Sequence, residues 1–293
     1  MTIFSIIVTY NPNLSQLKKC VYSLLTQVEK IIIVKNSLEA LNFSDLKEDK
    51  IIQIQLDKNY GIAYAQNRGI EKAFALGADW ILLSDQDTVF PDDYVFDCLK
   101  VYEKNKQSYK IAAIVPLFYN LNKNQLSQIM ITKTKAVLPQ KNKIYCLSHA
   151  ISSGCFCPAS AIKEIGLMNE RMFIDYVDNE WCWRANKASF KILCDTNIVI
   201  NHVMGDSFKK VFGRKFVVYS NFRNYFFFRN SFYLLFHSKL LNLKEFFAFW
   251  NYTNLKIIIF FLTKGFSLKN CKLIFKAIYK GISNKFSLEE ELN

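Results

Sequence analysis

The sequence predicts an α/β fold, a mostly parallel sheet flanked by helices, extended at its C-terminal end by a basic helical region. Three observations carry that expectation. Short β-rich runs alternate with segments of helical periodicity through about residue 116; the fourth such run stops at an acidic pair; and the charge balance shifts sharply after residue 205.

Taken in order, FSIIVTYNP (4–12) is a strand ended by Asn-Pro. Residues 14–27 follow with Leu14, Leu17, Val21, Leu24, Leu25 and Val28 at helical spacing, so a helix is expected there. Strands IIIV (31–34) and IIQIQL (51–56) come next, then a helix through 62–76, the strand WILLS (80–84), a helix near 92–105 and the strand IAAIVP (111–116). Strands and helices alternating in this way imply right-handed crossovers and ligands beyond the carboxyl ends of the strands. Residues 124–157 read as shorter strands and turns, 177–188 as a helix, and the chain from about 217 as helical and basic. No fixed-period repeat or low-complexity linker interrupts it.

A length of 293 residues with 51% hydrophobic content suits one large domain or a domain with an appendage, and excludes a disordered tail. The eight cysteines are scattered, and Cys155 and Cys157 lack the two-residue spacer of a redox or zinc pair. With no secretory signal ahead of them, reduced thiols in a cytoplasmic chain are expected. The net charge of +13 is uneven: residues 206–293 hold 15 Lys and Arg against 5 Asp and Glu, the rest 23 against 20. That region is also rich in Phe, Leu and Ile, yet a charge recurs before any run reaches the roughly 18–20 apolar residues needed to span a bilayer. Lying on an anionic surface is the expectation. A nucleic-acid partner is disfavoured, because the acidic segments would repel phosphate.

Asp85 and Asp87 in LLSDQDT (82–88) have two readings. They are loop acids capping the next helix, opened by PDDY (91–94), or a hard-cation site for Mg²⁺ or Mn²⁺, which bind through carboxylate oxygens while phosphate completes the shell. The segment FIDYVDNEWCWRA (173–185) holds Asp175, Asp178 and Glu180; acids at a helix start answer the macrodipole, but aromatic surroundings would also raise a carboxylate toward general-base use. Asp178 is the candidate base, with Glu180 and Arg184 to orient it. His202 ends an apolar run as a structural histidine or a ligand. Arg229, in NFRNYFFFRN (221–230), belongs to a packed helix or meets a diphosphate.

Together with IIVTYNP (6–12), NYGIAYAQNRG (59–69) and Ser153-Gly154, these stretches resemble, over residues 3–205, the family 2 glycosyltransferases of GT-A fold and their rhamnosyltransferase-like branch. The resemblance implies an inverting transfer from a nucleotide-diphosphate sugar to an acceptor hydroxyl in bacterial surface-polysaccharide synthesis. L-Rhamnose from a deoxythymidine-diphosphate donor comes first, and galactofuranose or another hexose from a uridine-diphosphate donor next. It implies a catalytic domain over 1–205, with nucleotide-sugar binding in 1–123 and acceptor and catalytic elements in 124–205, and a membrane-associating region over 206–293. Thr9 and Asn36 would hold base and ribose; Asn59, Gly61, Asn67 and Gly154 would shape the donor site; Glu180 and Arg229 would bind substrate. Asp85 and Asp87 would hold Mn²⁺ or Mg²⁺, His202 would complete the shell, and Asp178 would be the catalytic base. The acceptor would be a lipid-linked or polysaccharide glycan at the inner face of the cytoplasmic membrane. One departure stands out: where the family usually carries an aspartate before Asn36, this chain has Lys35, which cannot accept a hydrogen bond from a base imide.

Overall fold

A computed structural model describes residues 1–38, 48–121, 124–202, 208–211 and 214–285. In chain order the elements are β1 (Ile3–Thr9), α1 (Leu14–Leu24), β2 (Lys30–Lys35), β3 (Ile51–Gln55), α2 (Gly61–Ala75), β4 (Trp80–Asp85), α3 (Tyr94–Asn105), β5 (Ile111–Asn120), the short β6 (Gln125–Leu126), β7 (Ile129–Met130), β8 (Ala136–Val137) and β9 (Ile144–Leu147), then β10 (Phe156–Pro158), α4 (Ala159–Ile165), α5 (Val177–Lys187), β11 (Lys191–His202), the hairpin β12 (Phe208–Val211) and β13 (Arg214–Val217), and three C-terminal helices α6 (Asn221–Phe236), α7 (Leu243–Lys264) and α8 (Leu268–Ser283).

The main sheet runs β3-β2-β1-β4-β10-β5-β11-β9, with β6 added to β5. Its first four strands are mutually parallel, β11 is parallel to β5, and β10 is antiparallel to both its neighbours. The sheet is therefore mixed but mostly parallel, and the alternation of elements was enough to predict its first half. Side chains alternate along β1 as a strand requires: Phe4, Ile6 and Val8 pack into one core, Ile3 and Ile7 into the other. Helices α1 and α3 cover the second core, and α2, α4, α5 and parts of α6 and α7 cover the first. Pro116 inside β5 has no N–H to donate, and the ladder with β11 breaks there: Cys194 pairs with Val115, and the next partner pair is Val199 with Leu117.

The C-terminal region opens with the β12–β13 hairpin before its helices. Helix α8 lies so close on α6 that a Cβ at Gly281 would sit 2.5 Å from the Arg229 carbonyl oxygen. Helix α7 buries Phe249, Thr253, Phe260 and Thr263, which share one side of a 3.6-residue helix, and exposes Leu243, Phe247, Leu255, Ile258 and Leu262 opposite them. At 22 residues it is long and apolar enough to cross a bilayer, which the interrupted apolar runs of the sequence did not anticipate. All eight cysteines are unpaired.

Candidate active site

The carboxyl edge of the sheet gathers the acidic pair. Val8 pairs with Asp85, so the loop after β1 lies against the turn after β4. Gln86 ties the two together: its Oε1 accepts the Tyr10 N–H (2.8 Å) and its Nε2 donates to the Tyr10 carbonyl (3.3 Å). Ser153, wholly buried, accepts the Asp85 N–H at its hydroxyl (3.1 Å) and shares a 2.7 Å bond with Thr88 Oγ1. Asp85 is half-buried and Asp87 exposed. The helix-capping reading fails, because the residue at the start of α3 is Asp93, whose side chain makes no capping bond.

Two carboxylates on a turn fixed by a strand suit a hard cation that takes its remaining ligands from phosphate and water. Among the described residues no group of three or more His, Cys, Asp and Glu side chains could cage an ion without such help. His202 closes β11 opposite Asn120, and its side chain lies outside the described residues.

Asp178, in the first turn of α5, is joined to this edge through the neighbouring serine. The Ser152 N–H donates to Asp178 Oδ2 at 2.9 Å, so residues 152 and 153 hold the two acidic centres from one short segment. Gly154 follows at φ +80°, where a Cβ would strike Pro116 at 2.7 Å. Burial raises the Asp178 carboxyl from the ordinary 3.8 to about 7; the Ser152 N–H opposes that shift and the negative charge of Asp85 adds to it. A carboxylate so tuned can accept a proton near neutral pH.

The backbone leading to Asp178 is strained. Phe173, Asp175 and Tyr176 have φ of 58°, 64° and 63°, a region that L-residues enter only where their surroundings hold them. The holding groups come from α6. Asn230 Nδ2 lies within hydrogen-bond reach of the carbonyls of Met172 (2.8 Å), Ile174 (2.9 Å) and Asp175 (2.9 Å), and Arg229 Nη2 donates to those of Arg171 (2.7 Å) and Met172 (3.1 Å). Arg223 grips the Asp175 carboxylate, with Nη2 at 3.0 Å from Oδ1. Helix α6 is thus part of what holds the loop before Asp178.

Several residues expected to face the donor make bonds within the protein. Asn36 donates to Asn59 Oδ1 (2.9 Å) and accepts the Tyr60 N–H (2.8 Å), so both asparagines brace the turn before α2. Gly61 has φ +82°, but the backbone that approaches it is that of Phe173, whose carbonyl oxygen would lie 2.5 Å from a Cβ. Asn67 holds Met168 through both its amide atoms at 2.9 Å and donates to Glu170. Glu180 does not orient Asp178; its carboxylate receives Arg184 Nε at 2.9 and 3.0 Å, while the same guanidinium donates to the Ile165 and Leu167 carbonyls. Arg229 is fully enclosed, so no diphosphate can reach it as it stands. Thr9 is buried at the end of β1 and its carbonyl accepts the Asn36 N–H. Gln86 and Asn230, which brace the segments carrying the two acidic centres, were not expected from the sequence. The polar side chain between two aspartates and the Arg-Asn pair in an otherwise aromatic helix were the available signals.

The comparisons with known proteins agree with this architecture. The model of "Glycosyl transferase family 2" matches residues 5–165. The dTDP-rhamnosyl transferase RfbF of Shigella flexneri is 32% identical over 243 residues, 80% of this chain and 79% of that protein. The low-salt glycan biosynthesis hexosyltransferase Agl10 of Haloferax volcanii is 24% identical over 73% of this chain and 71% of its own length. Among solved structures, residues 1–349 of S. aureus TarS in complex with UDP-GlcNAc superpose with a TM-score of 0.63 at 13% identity, covering 96% of this chain and 82% of that one. GalNAc-T7 with UDP, GalNAc and Mn²⁺ gives 0.57 at 14% identity over 86% of this chain, which spans about half (54%) of that longer one. Matched by the family model over more than half its length, and by a curated relative over four-fifths, this chain belongs to glycosyl transferase family 2.

Proposed function

We propose that this chain is an inverting glycosyltransferase of surface-polysaccharide synthesis that moves L-rhamnose from a deoxythymidine-diphosphate donor to an acceptor hydroxyl. The observation that carries the chemistry is Asp178, half-buried, raised to about 7 and tied through Ser152 and Ser153 to the acidic pair at the sheet edge. The sugar rests on the 32% identity to RfbF, and a hexose remains the second reading because Agl10 is similar over most of both chains.

Asp178 takes the proton of the acceptor hydroxyl as its oxygen forms the new bond to the anomeric carbon. The bond from that carbon to the diphosphate breaks with its electrons on the phosphate oxygen, and a single displacement through an oxocarbenium-like transition state inverts the centre. Asp85 and Asp87 are the residues that would hold Mg²⁺ or Mn²⁺, which when bound supplies positive charge against the departing diphosphate. Ser153 fixes the backbone of Asp85, and Gln86 fixes the loop after β1 against it.

The C-terminal helices serve as a peripheral membrane attachment on the cytoplasmic side. Their support is the exposed apolar stripe of α7 together with the lysines of residues 264–285, a stretch with six Lys and no Asp or Glu. The test of the reading is a screen of nucleotide sugars with Mn²⁺, followed by product analysis. Transfer or slow hydrolysis of deoxythymidine-diphosphate rhamnose with inversion is expected; turnover of uridine-diphosphate hexoses alone would replace the sugar, and no turnover of any donor would end the proposal.

A further inference from the structure

Helix α8 divides into three stripes at 3.6 residues per turn. Asn270, Ile274, Ala277 and Gly281 are buried on α6 and its surroundings; Leu268, Phe275, Tyr279 and Ile282 are exposed on the far side; and Lys269, Lys272 and Lys276 form a row on the flank between them. That flank faces α6 across a groove of about 410 Å³, whose other wall is Phe222, Tyr225 and Phe226. The groove has a cationic side and an aromatic side, and its outer margin runs into exposed apolar residues. Its shape is fixed by close packing, since Gly281 admits the Arg229 carbonyl at a distance no Cβ would allow and the carbonyl of Ile282 bonds His237.

The groove also touches the machinery of the site. Phe226 stacks on Phe173 with ring centroids 4.6 Å apart, and Phe222 meets the same ring edge-on at 5.7 Å. Phe173 opens the strained segment that ends at Asp178, and its carbonyl accepts the Ile62 N–H beside Gly61. A molecule held in the groove is therefore one aromatic ring from the loop that carries the base.

We propose that this groove seats the phosphate or diphosphate head of a membrane lipid that carries the acceptor sugar, with its chain along the exposed apolar stripe of α8. The lysines provide the charge complement for a multiply anionic head, the aromatic wall excludes water beside it, and the apolar stripe accounts for a hydrocarbon chain that a nucleic acid or a soluble phosphate lacks. The inference rests on the glycosyl-transfer reading for the word acceptor, but the binding itself does not.

The experiment titrates the full chain, in neutral detergent, with farnesyl diphosphate, farnesol, inorganic diphosphate and a short single-stranded RNA, following tyrosine and tryptophan fluorescence. Farnesyl diphosphate is expected to bind at least about tenfold more tightly than any of the others, since head and chain act together. Changing Lys269, Lys272 and Lys276 together to Gln should weaken it about tenfold or more, by the loss of three cationic contacts, while the triple Lys→Arg variant keeps it. Melting temperatures close to that of the wild type establish that these surface variants are folded. Equal binding of farnesol, of inorganic diphosphate or of RNA, or undiminished binding by the Gln variant, overturns the assignment. No nucleotide sugar is present in the titration, so its failure leaves the transfer reading standing, and a donor screen without turnover leaves the groove standing.

Discussion

The two acidic centres of the site are held in opposite ways. Asp85 closes a central strand, and the turn that carries Asp87 is held at the sheet edge by Ser153, just before β10, and by Gln86 within the turn, which binds the chain leaving β1. Asp178 stands at the end of a loop with three residues in left-handed backbone conformations, and the bonds that hold this loop come from Arg229 and Asn230, more than fifty residues further along the chain. A strand end is rigid because its ladder is; a strained loop keeps its shape only while remote side chains satisfy its carbonyls. The first centre offers ions an exposed carboxylate, Asp87, and the second holds a half-buried one whose pKa is raised, as a division between binding a charged leaving group and accepting a proton would require.

The largest effect expected from breaking this division is at the base. Asp178→Asn should lower kcat by about a thousandfold or more by removing the proton acceptor, with donor affinity in the presence of Mn²⁺ nearly unchanged. In the unaltered enzyme the carboxyl is protonated below its value of about 7, so kcat/KM should fall as pH drops through that value. Stability runs the other way. A carboxyl raised from 3.8 to about 7 in the fold contributes most below its unfolded value, and that contribution is lost as pH rises between the two. Thermal melts of the ion-free protein should therefore show the Asn variant gaining on the wild type from about pH 4 to pH 7 and remaining ahead at pH 8. Near-normal turnover by the variant would remove Asp178 from the role.

At the other centre, Asp87→Ala should weaken Mn²⁺-dependent donor binding by roughly ten- to a hundredfold, with little change in melting temperature, because Asp87 is exposed. Donor titrations with and without Mn²⁺ check this, and equal affinity of Asp87→Ala and the wild type with metal present would count against the acidic pair as its holder.

The contrast also explains what the sequence made legible. The Asp85–Asp87 edge could be located because strands and helices alternate regularly up to β5, and ligands gather where parallel strands end. Asp178 could be picked by its acidic and aromatic setting. The internal contacts of Asn36, Asn59, Gly61 and Asn67 could not, because an asparagine that braces the fold and one that holds a ribose leave the same letter in the chain. Gly61 marks a close approach, but only the fold tells that Phe173 makes it. For Arg229 the sequence offers both a packed helix and a diphosphate contact, and the choice depends on a long-range packing against the Met172 carbonyl that periodicity does not encode. The antiparallel β10 within the sheet was hidden for the same reason, being three residues between the Gly154 turn and the start of α4.

The remote support can be broken without touching either centre. Asn230→Ala takes the donor from the carbonyls of Ile174 and Asp175 and leaves that of Met172 to Arg229, a loss worth about 1–3 kcal/mol for buried groups, so the melting temperature should fall by several degrees. Because the loop positions Asp178, kcat should drop about ten- to a hundredfold from misplacement, while donor affinity holds. A residue that only stabilised the fold would lower the active fraction without moving the pH profile. Here the inflection near pH 7 should also shift downward, since a loosened loop admits water to the Asp178 carboxyl and relieves the burial that raised it.

The smallest effect is expected at Gln86, and it sharpens the comparison most directly. Its side chain makes two bonds to the Tyr10 backbone at an exposed position, where each is worth about 1 kcal/mol or less. Gln86→Ala should therefore raise the donor KM by about threefold, leave kcat and its pH dependence unchanged, and cost little stability, because β1 and β4 remain paired through their full ladder without it. If Gln86→Ala instead lowered kcat as far as Asn230→Ala does, the sheet edge would depend on side-chain bracing as much as the loop does. The difference between a centre fixed by its strand and one fixed by a distant helix would then disappear.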